Sequence, residues 1–585
     1  MPSRQAPVVV LKFGSSVLRD ELSLPAAVAE IYREVRRGRR VVAVVSAFGV
    51  TTDTLLQDAR RQCDRPDPHA LARLLETGEA RAAAHLGLAL AEVGLDAEIL
   101  DHRRLSLRTD GPVLDAEPVA VDRAALRRFL DDHPVVVVPG FCGLDASGRT
   151  TLLGRGGSDL TALFLAREAG AVACRLLKDV EGLLRVDDHG RLDRTTRYAT
   201  APYEECLRVG GPLVQPKAVE FAARHGLEFT ITRCGSPRGT VAGRLPTGFE
   251  RVPPRPRRLK VALAGLGSVG LGVCRWLQRL EEDFELTGIL VSDAKTRRAV
   301  DVPRHLLTER WRDLLNPRPD LLVELIGGTD TAAALVAAAR LRGIPVVTAN
   351  KQLLALDPDL LREAAAGDGR LLRGSASVGG GLPALELVAR LADELPVLAV
   401  SGVLNGTCNF VLDRMQAGAR YGDAIREARE RGLAEADPYL DVSGLDAVYK
   451  LALLATAAFG VPVTPDEIVC EGLDRVSQTR LARARESGGE LKLVAEARRH
   501  RGGVTARVGV RSLPPAHPLA GCREEGNRLL VETADGTTHR LDGLGAGRWP
   551  TTCAVVADLL DLRRTLVAPT VPAAAAERRK RGTGT

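Results

Sequence analysis

Two residues able to do acid–base chemistry sit four apart: Asp446 and Lys450, in the stretch ARERGLAEADPYLDVSGLDAVYK at 428–450. Positions i and i+4 share a helix face, so a carboxylate and an ammonium are held side by side. Glu435 and Asp437 come from the turn-rich loop just before them. Such a set can fix a lysine for proton transfer and anchor a substrate ammonium nearby. Taken alone, an Asp/Lys pair is more simply a solvated salt bridge. Its neighbours decide the matter.

The second pattern is Gly265-Leu266-Gly267-Ser268-Val269-Gly270, after the apolar run LKVALA and before an amphipathic stretch. In that strand–turn–helix setting the first glycine makes the tight turn. The second lets a dinucleotide pyrophosphate approach, and the third lets helix and strand pack. The next strand, 286–291, runs into Asp293, Lys295, Arg297 and Arg298. The aspartate suits the ribose hydroxyls of NAD and the cations suit the 2′-phosphate of NADP. The balance leans to NADP and leaves NAD open. A third strand ends in Gly327-Gly328-Thr329 and a fourth in Thr348-Ala349-Asn350-Lys351. Both point at one crevice, which gives Thr329 a cofactor role and Lys351 a binding or catalytic one. The Gly-rich turn 377–383 can offer carbonyls and amides to a cation or cofactor. Asn405 to Asn409 adds side-chain amides and hydroxyls.

A third pattern lies in the first half. Lys12-Phe13-Gly14-Ser15-Ser16 follows one apolar run, Ser46 ends another, and Gly154-Arg155-Gly156-Gly157-Ser158-Asp159 opens a helix. Lysine at a strand end, glycines that expose amides and an arginine clamp for a carboxylate suggest phosphoryl transfer. None of these is a Walker loop. Gly-rich turns of a generic α/β domain are the plainer alternative.

The elements that must position these groups follow from the apolar pattern. VVVL at 8–11, VVAVV at 41–45 and VVVV at 135–138 read as buried parallel strands, with helix-like segments at 70–92 and 122–131. A chain of 585 residues is too long for one domain. We place an α/β unit at 7–245, a Pro/Arg-rich linker at 246–258, a dinucleotide-binding unit at 259–390, a mixed unit at 391–566 and a disordered tail at 567–585. Net charge of +7 is spread along the chain and aromatics are only 3%, which speaks against nucleic acid as a partner. The ten cysteines are scattered without a CxxC pair, and the N-terminal apolar run is too short for a secretory signal. Both fit a reducing cytoplasm. No apolar run reaches the roughly 18–20 residues that span a bilayer, so no membrane partner is expected.

Several motifs together resemble homoserine dehydrogenases, in order: GLGSVG, TANK at 348–351, ASVGGGLP at 376–383, LNGTCNFVLDRM at 404–415, the 428–450 segment, HPLA at 517–520 and GAGRWPTTCAVVADLL at 545–560. The resemblance implies a Rossmann domain followed by an α+β substrate domain whose sheet mediates dimerisation, hence a homodimer or higher homo-oligomer acting on small molecules. It implies reversible reduction of aspartate 4-semialdehyde to homoserine. By position, Lys450 exchanges a proton with the substrate oxygen, Asp446 holds that lysine and the substrate, Glu435 binds the substrate amino group, and Lys351 lies by the cofactor and reacting carbon. Relatives use a glutamate before the ASVG turn to hold a monovalent cation. Ser375 stands there instead, which leaves the carbonyls of Val378, Gly380 and Leu382 as weaker sodium ligands.

The first half resembles the catalytic domain of aspartate kinases, through KFGSS, VVSAFGVT at 44–51, Gly78-Glu79, VVPGFCG at 137–143, TTLLGRGGSDLTA at 150–162, KDVEGL at 178–183 and QPKAVE at 215–220. That implies an amino acid kinase-like αβα sandwich using ATP and magnesium to phosphorylate the aspartate side chain. Lys12, Ser46, Glu79, Arg155, Ser158 and Asp159 are then the phosphate and aspartate contacts. Three departures stand out: KFGSSV for KFGGTS, Lys178 for the usual threonine before Asp179, and Pro212 where a nucleotide-contacting lysine is usual, with Lys217 close enough to compensate. Only 246–258 separates the two halves, so no feedback by threonine or lysine through paired regulatory modules is expected. The expected fold class is therefore α/β throughout, with an α+β third domain. The leading functional reading is a fused aspartate kinase–homoserine dehydrogenase in threonine and methionine biosynthesis. The alternatives are a homoserine dehydrogenase with a catalytically dead, structural kinase-like domain, and a dinucleotide-binding regulator without catalysis.

Overall fold

The computed structural model describes residues 6–567 apart from 188, 212, 253–256, 297–301, 367–370, 435–436 and 474–475. Runs that are apolar on both faces suit parallel strands covered on each side. Val8–Phe13 accordingly lies at the heart of a ten-stranded sheet, parallel to Arg40–Val45 and to Ala173–Lys178. Its residues alternate between two cores. Val9, Leu11 and Phe13 pack with the helices Leu24–Arg36 and Pro68–Glu92. Val10, Val42 and Val44 pack with Gly157–Glu168 and Pro216–His225. The result is an αβα sandwich.

One boundary needs correcting. Gly248–Arg251, placed in the linker by its Pro/Arg-rich surroundings, is a strand that pairs antiparallel with Leu192–Pro202. Phe249 packs on Tyr198 with ring centroids 4.9 Å apart. The short strand extends a sheet edge, with Pro246 just before it and Pro253, Pro254 and Pro256 after it in sequence.

The second unit is a six-stranded parallel sheet with Leu259–Ala264 flanked by Phe284–Leu290 and Leu321–Glu324. Val346–Thr348 and Leu372–Arg373 extend it. A third, largely antiparallel sheet runs Gly503–Leu513, Glu490–His500, Val397–Val403, Gly526–Thr533, Thr538–Leu544. Its inner face packs on Gly406–Gln416 and on Leu445–Phe459. The expected division at 390 falls inside the helix Ala384–Glu394, whose Leu385, Val388 and Leu391 share one core with Leu322 and Val346 of the second unit and with Leu451 and Leu493 of the third.

The helix Arg548–Val567 is also misplaced by a purely sequential division. It packs on the first helix of the dinucleotide unit, Ser268–Arg279, and on Leu24–Arg36 of the first half. Val9, Leu11, Leu86 and Leu90 share one core with Leu259, Val261 and Val273 and with Cys553, Val555, Val556 and Leu559. Ion pairs rim this joint: Arg564 with Glu30 at 3.1 Å, Arg563 with Asp283 at 2.7 Å and Arg233 with Asp283 at 3.1 Å. All ten cysteines are free. No helix among the described residues is long and apolar enough to cross a membrane.

Candidate active sites

Gly444, with φ of +86°, turns the chain into the helix Leu445–Phe459. That turn sets Asp446 in the first helical turn and Lys450 one turn on, both 6% exposed. The Lys450 ammonium lies 2.9 Å from one Asp446 oxygen and donates to the Leu404 carbonyl at 2.7 Å. The Lys351 ammonium lies 3.0 Å from the other Asp446 oxygen. One buried carboxylate thus bridges two lysines from different domains. Burial opposes its charge, but Lys450 and Lys351 prevail and hold it far below the usual carboxylate range. An ammonium has a donor beyond the two used by Asp446 and Leu404. Lys450 can therefore hand a proton to an oxygen placed beside it.

The surrounding groups orient this set. Asn405 caps the helix Gly406–Gln416 by accepting the Cys408 amide at 2.7 Å. Its amide nitrogen donates to Asp446 and to Asp441, each at 2.8 Å. Burial, with the Asp446 charge beside it, pushes the Asp441 carboxyl above its usual range. Asn527 donates to the Leu404 carbonyl at 2.9 Å, sharing the acceptor of Lys450. Lys351 follows the strand Val346–Thr348, where Asn350 caps its helix and donates to the Gly328 carbonyl at 2.7 Å. Buried Glu324 ties the neighbouring strand end to this one through Thr348. Glu435 lies outside the described residues, as do Arg297 and Arg298. Asp437 is exposed and caps the Tyr439 amide.

The GxGxxG turn has the form a pyrophosphate needs. Gly265 has φ of +100°, and a Cβ there would lie 2.6 Å from the Leu325 carbonyl oxygen. At Gly270 it would lie 2.1 Å from the Gly265 oxygen, whereas at Gly267 it meets nothing. Gly267 caps Ser268–Arg279 without any side-chain hydrogen bond, so the Leu266–Val269 turn keeps amides for an anion. Gly327 and Gly328 are open and left-handed, with Thr329 just after them. Asp293 accepts from the Lys295 amide at 2.8 Å and the Thr296 hydroxyl at 2.9 Å.

Arg548 escaped the residue-level reading, although the GAGRWP motif contains it. Ser268–Arg279 and Arg548–Val567 run side by side in one direction. The Thr552 hydroxyl reaches the Val269 carbonyl at 3.4 Å, and Arg563 pairs with Asp283 past the far end. Arg548, one turn before Thr552, is thus level with the glycine turn. Its Nε and one Nη are buried without a hydrogen-bond partner among the described residues, and the guanidinium lies 5.0 Å over the Trp549 ring. An orphaned cation beside the dinucleotide turn fits a phosphate. Asp441, Glu324 and Asn527 were likewise missed. Only their place in the fold marks them.

In the first half, Lys12 near the end of its strand lies 2.8 Å from Asp159 at the start of Gly157–Glu168. Lys178, at the end of the neighbouring strand, reaches the other Asp159 oxygen at 2.9 Å. Burial, then the Lys12 charge, lowers Lys178 to about 8. Asp159 stays ionised below its usual range because the two lysines outweigh its burial. A Cβ on Gly14 would stand 3.3 Å from the Lys12 nitrogen, so the glycine keeps that ammonium approachable. Burial pushes the Glu79 carboxyl up to about 7, and one of its oxygens has no partner among the described residues. Ser46 bonds through its amide to Phe13, Ser158 is buried against Gly140, and Arg155 stands exposed at the preceding turn. Lys217 is tied to Asp115 at 2.8 Å and to the Ala116 carbonyl at 2.8 Å. Pro212 lies outside the described residues.

A parallel sheet with an open glycine turn, facing a lysine held by a buried carboxylate, defines a nicotinamide-dependent oxidoreductase. Comparison with known proteins makes this specific. The family model for the homoserine dehydrogenase NAD-binding domain matches residues 265–372, that for homoserine dehydrogenase matches 383–560, and that for the amino acid kinase family matches 7–233. The homoserine dehydrogenase of Corynebacterium glutamicum is 35% identical over 321 residues, 52% of this chain and 72% of that one. That of Bacillus subtilis is 32% identical over 321 residues, 53% of this chain and 74% of that one. A crystal structure of a homoserine dehydrogenase from Thiobacillus denitrificans aligns at 32% identity with a TM-score of 0.49, covering 54% of this chain and 76% of that chain. The chain belongs to the homoserine dehydrogenase family, and it carries an amino acid kinase domain ahead of its dehydrogenase domains.

Proposed function

We propose that the dehydrogenase half interconverts aspartate 4-semialdehyde and L-homoserine with Lys450 as the proton-transferring group. The observation that carries this reading is the Asp446 carboxylate, buried between Lys450 and Lys351. A bound nicotinamide supplies or accepts the hydride. In the reduction direction the Lys450 ammonium gives its spare proton to the carbonyl oxygen as negative charge develops there, and in oxidation it takes the proton back. Asp446 aims that lysine, and Lys351 adds a second positive charge near the reacting carbon. Glu435 takes the substrate ammonium. Gly265 to Gly270, Thr329 and Arg548 hold the cofactor. NADP is the proposed cofactor, because Asp293 spends its oxygens on its own turn while Lys295 stands exposed beside it. Arg297 and Arg298 would join Lys295. For sodium, the carbonyls of Val378, Gly380 and Leu382 remain the proposed ligands, weakened because Leu382 already accepts the Ala384 amide at 2.7 Å.

The kinase half is proposed to transfer a phosphoryl group from ATP, with magnesium, to the aspartate side chain. Lys12 and Lys178 face the transferring charge, Asp159 holds both, and Ser46, Glu79, Arg155 and Ser158 contact substrate and phosphate. A second reading, a structural kinase-like domain, is favoured by the core this half shares with Arg548–Val567. The remaining elements of the proposal are a cytoplasmic homodimer or higher homo-oligomer joined through the third sheet.

Steady-state homoserine oxidation with each cofactor, on wild type and Lys450→Ala, tests the dehydrogenase proposal. We expect wild-type turnover with preference for NADP. Lysine-independent turnover would remove Lys450 from its role.

A further inference from the structure

The joint between the halves contains one guanidinium that grips the dehydrogenase beside its Gly-rich turn 378–383. Arg36 is the last residue of Leu24–Arg36, in the kinase half, and is buried. It donates to Asp558 at 2.8 Å and reaches the Ser375 hydroxyl at 3.4 Å. The same Nη lies 3.2 Å from Glu386 and 3.8 Å from Asp561. Ser375 in turn donates to Asp558 through its hydroxyl at 2.8 Å and its amide at 3.2 Å.

These partners are not scattered over the dehydrogenase. Ser375 opens the short helix Ser375–Ser377 that leads into the Gly-rich turn, and Glu386 lies in Ala384–Glu394, which leads out of it. Arg36 therefore holds both ends of the turn 378–383. The kinase half also touches its middle. A Cβ on Gly381 would stand 2.9 Å from the Val93 carbonyl of the kinase half and 2.8 Å from Pro550. On Gly380 it would meet the Ala546 backbone at 3.2 Å. The turn follows Leu372–Arg373, the edge strand of the dinucleotide sheet. Ligands of such sheets lie beyond the carboxyl ends of the strands.

The guanidinium makes all of these contacts, with carboxylates on two helices and a hydroxyl on the turn, through one Nη, while its other Nη has no hydrogen-bond partner among the described residues. Removing it would leave Asp558 and Glu386 facing each other across a buried space without their common cation.

We infer that Arg36 is a positioning residue for the dehydrogenase: a side chain of the kinase half that sets the cofactor-facing turn 375–383. The inference rests on the dehydrogenase reading of that turn but not on any kinase activity. It gives the kinase-like domain a part in dehydrogenase catalysis even where it transfers no phosphate.

The test uses the full chain and two readouts. The first is the Kd of reduced cofactor, from its fluorescence in titrations without substrate. The second is the separate KM for cofactor and for homoserine. For Arg36→Met we expect Kd and cofactor KM to rise about tenfold, with homoserine KM changed less than about twofold. Arg36→Lys keeps a single cationic nitrogen for the same partners and should recover part or all of the loss. Ser375→Ala removes one hydroxyl and should raise the cofactor Kd about threefold without unfolding the joint. A purely structural Arg36 would lower thermal stability and leave the Kd of the folded protein unchanged. An unchanged Kd in both Arg36→Met and Ser375→Ala overturns the inference. Should Arg36→Met fail to fold, Ser375→Ala decides alone. Wild-type oxidation of homoserine checks the dehydrogenase reading separately, so the two failures are told apart.

Discussion

Both halves of the molecule place one buried aspartate between two lysines, yet they build the arrangement differently. In the kinase half, Lys12 and Lys178 come from adjacent strands of one sheet, and their side chains are 6% and 10% exposed. In the dehydrogenase half, the Lys450 side chain is 8% exposed but that of Lys351, which comes from the other domain, is 34% exposed. The first triad is fixed once the helix Gly157–Glu168 packs on its sheet. The second forms only where the dinucleotide unit and the substrate domain meet. Lys492 supplies a contrast to both. It is fully buried against Asp413, Asn409 and the Cys522 carbonyl. Its three donors are all spent within the fold, which marks it as structural.

The largest expected effect separates Lys450 from Lys492. Lys450→Ala should lower kcat for homoserine oxidation by about a hundred- to ten-thousand-fold without altering the circular dichroism spectrum. Lys492→Met should instead lower thermal stability and spare kcat in whatever remains folded; equal kinetic losses would erase the contrast. Next, Lys12→Ala should abolish ATP-dependent phosphorylation of aspartate while homoserine oxidation stays within about twofold. Wild type inert in that coupled assay would leave the structural reading of the kinase half. Asp446→Asn should cost about 3–5 kcal/mol in denaturant unfolding, because it strands a buried ammonium, and should raise the KM for homoserine. Stability within about 1 kcal/mol of wild type would mean that Asp446 is not the hub of its triad. Arg548→Ala should raise the cofactor KM by about tenfold and flatten its dependence on salt. An unaltered salt dependence would remove Arg548 from the phosphate.

The smallest effect concerns pH. Glu79 is raised to about 7, so its folded form holds a proton that the unfolded form has already lost. Its contribution is complete below the ordinary glutamate range and disappears as pH climbs through about 7. Wild type should therefore lose thermal stability between about pH 5 and pH 8 relative to Glu79→Gln. Parallel curves for the two proteins would dismiss the shift.

How far these sites could be read in advance depended on the range of each contact. Asp446 with Lys450 was legible because one helical turn separates them. Lys351 was legible as a crevice lysine, but its contact with Asp446 was not, since it depends on how two domains close. Lys178 looked like a defect in a motif and turned out to be the second cation on Asp159. The strand Gly248–Arg251 was hidden because four residues carry too little alternation to stand out from prolines and arginines beside them. Arg36 offered no signal at all. It is one arginine among many on an amphipathic helix, and its partners lie in distant segments. The helix Arg548–Val567 was recognisable as buried, but nothing in its own residues says which surfaces cover it.

That helix carries a consequence for how the polypeptide matures. Strand Val8–Phe13 and helix Arg548–Val567 finish the same core from opposite ends of the described chain. A nascent kinase half emerging from the ribosome has an apolar flank that stays bare until synthesis reaches the far segment. Acquisition of the native state is thereby slowed by long-range closure and exposed to aggregation on the way. A chain severed in the middle would yield two pieces that find each other only by collision.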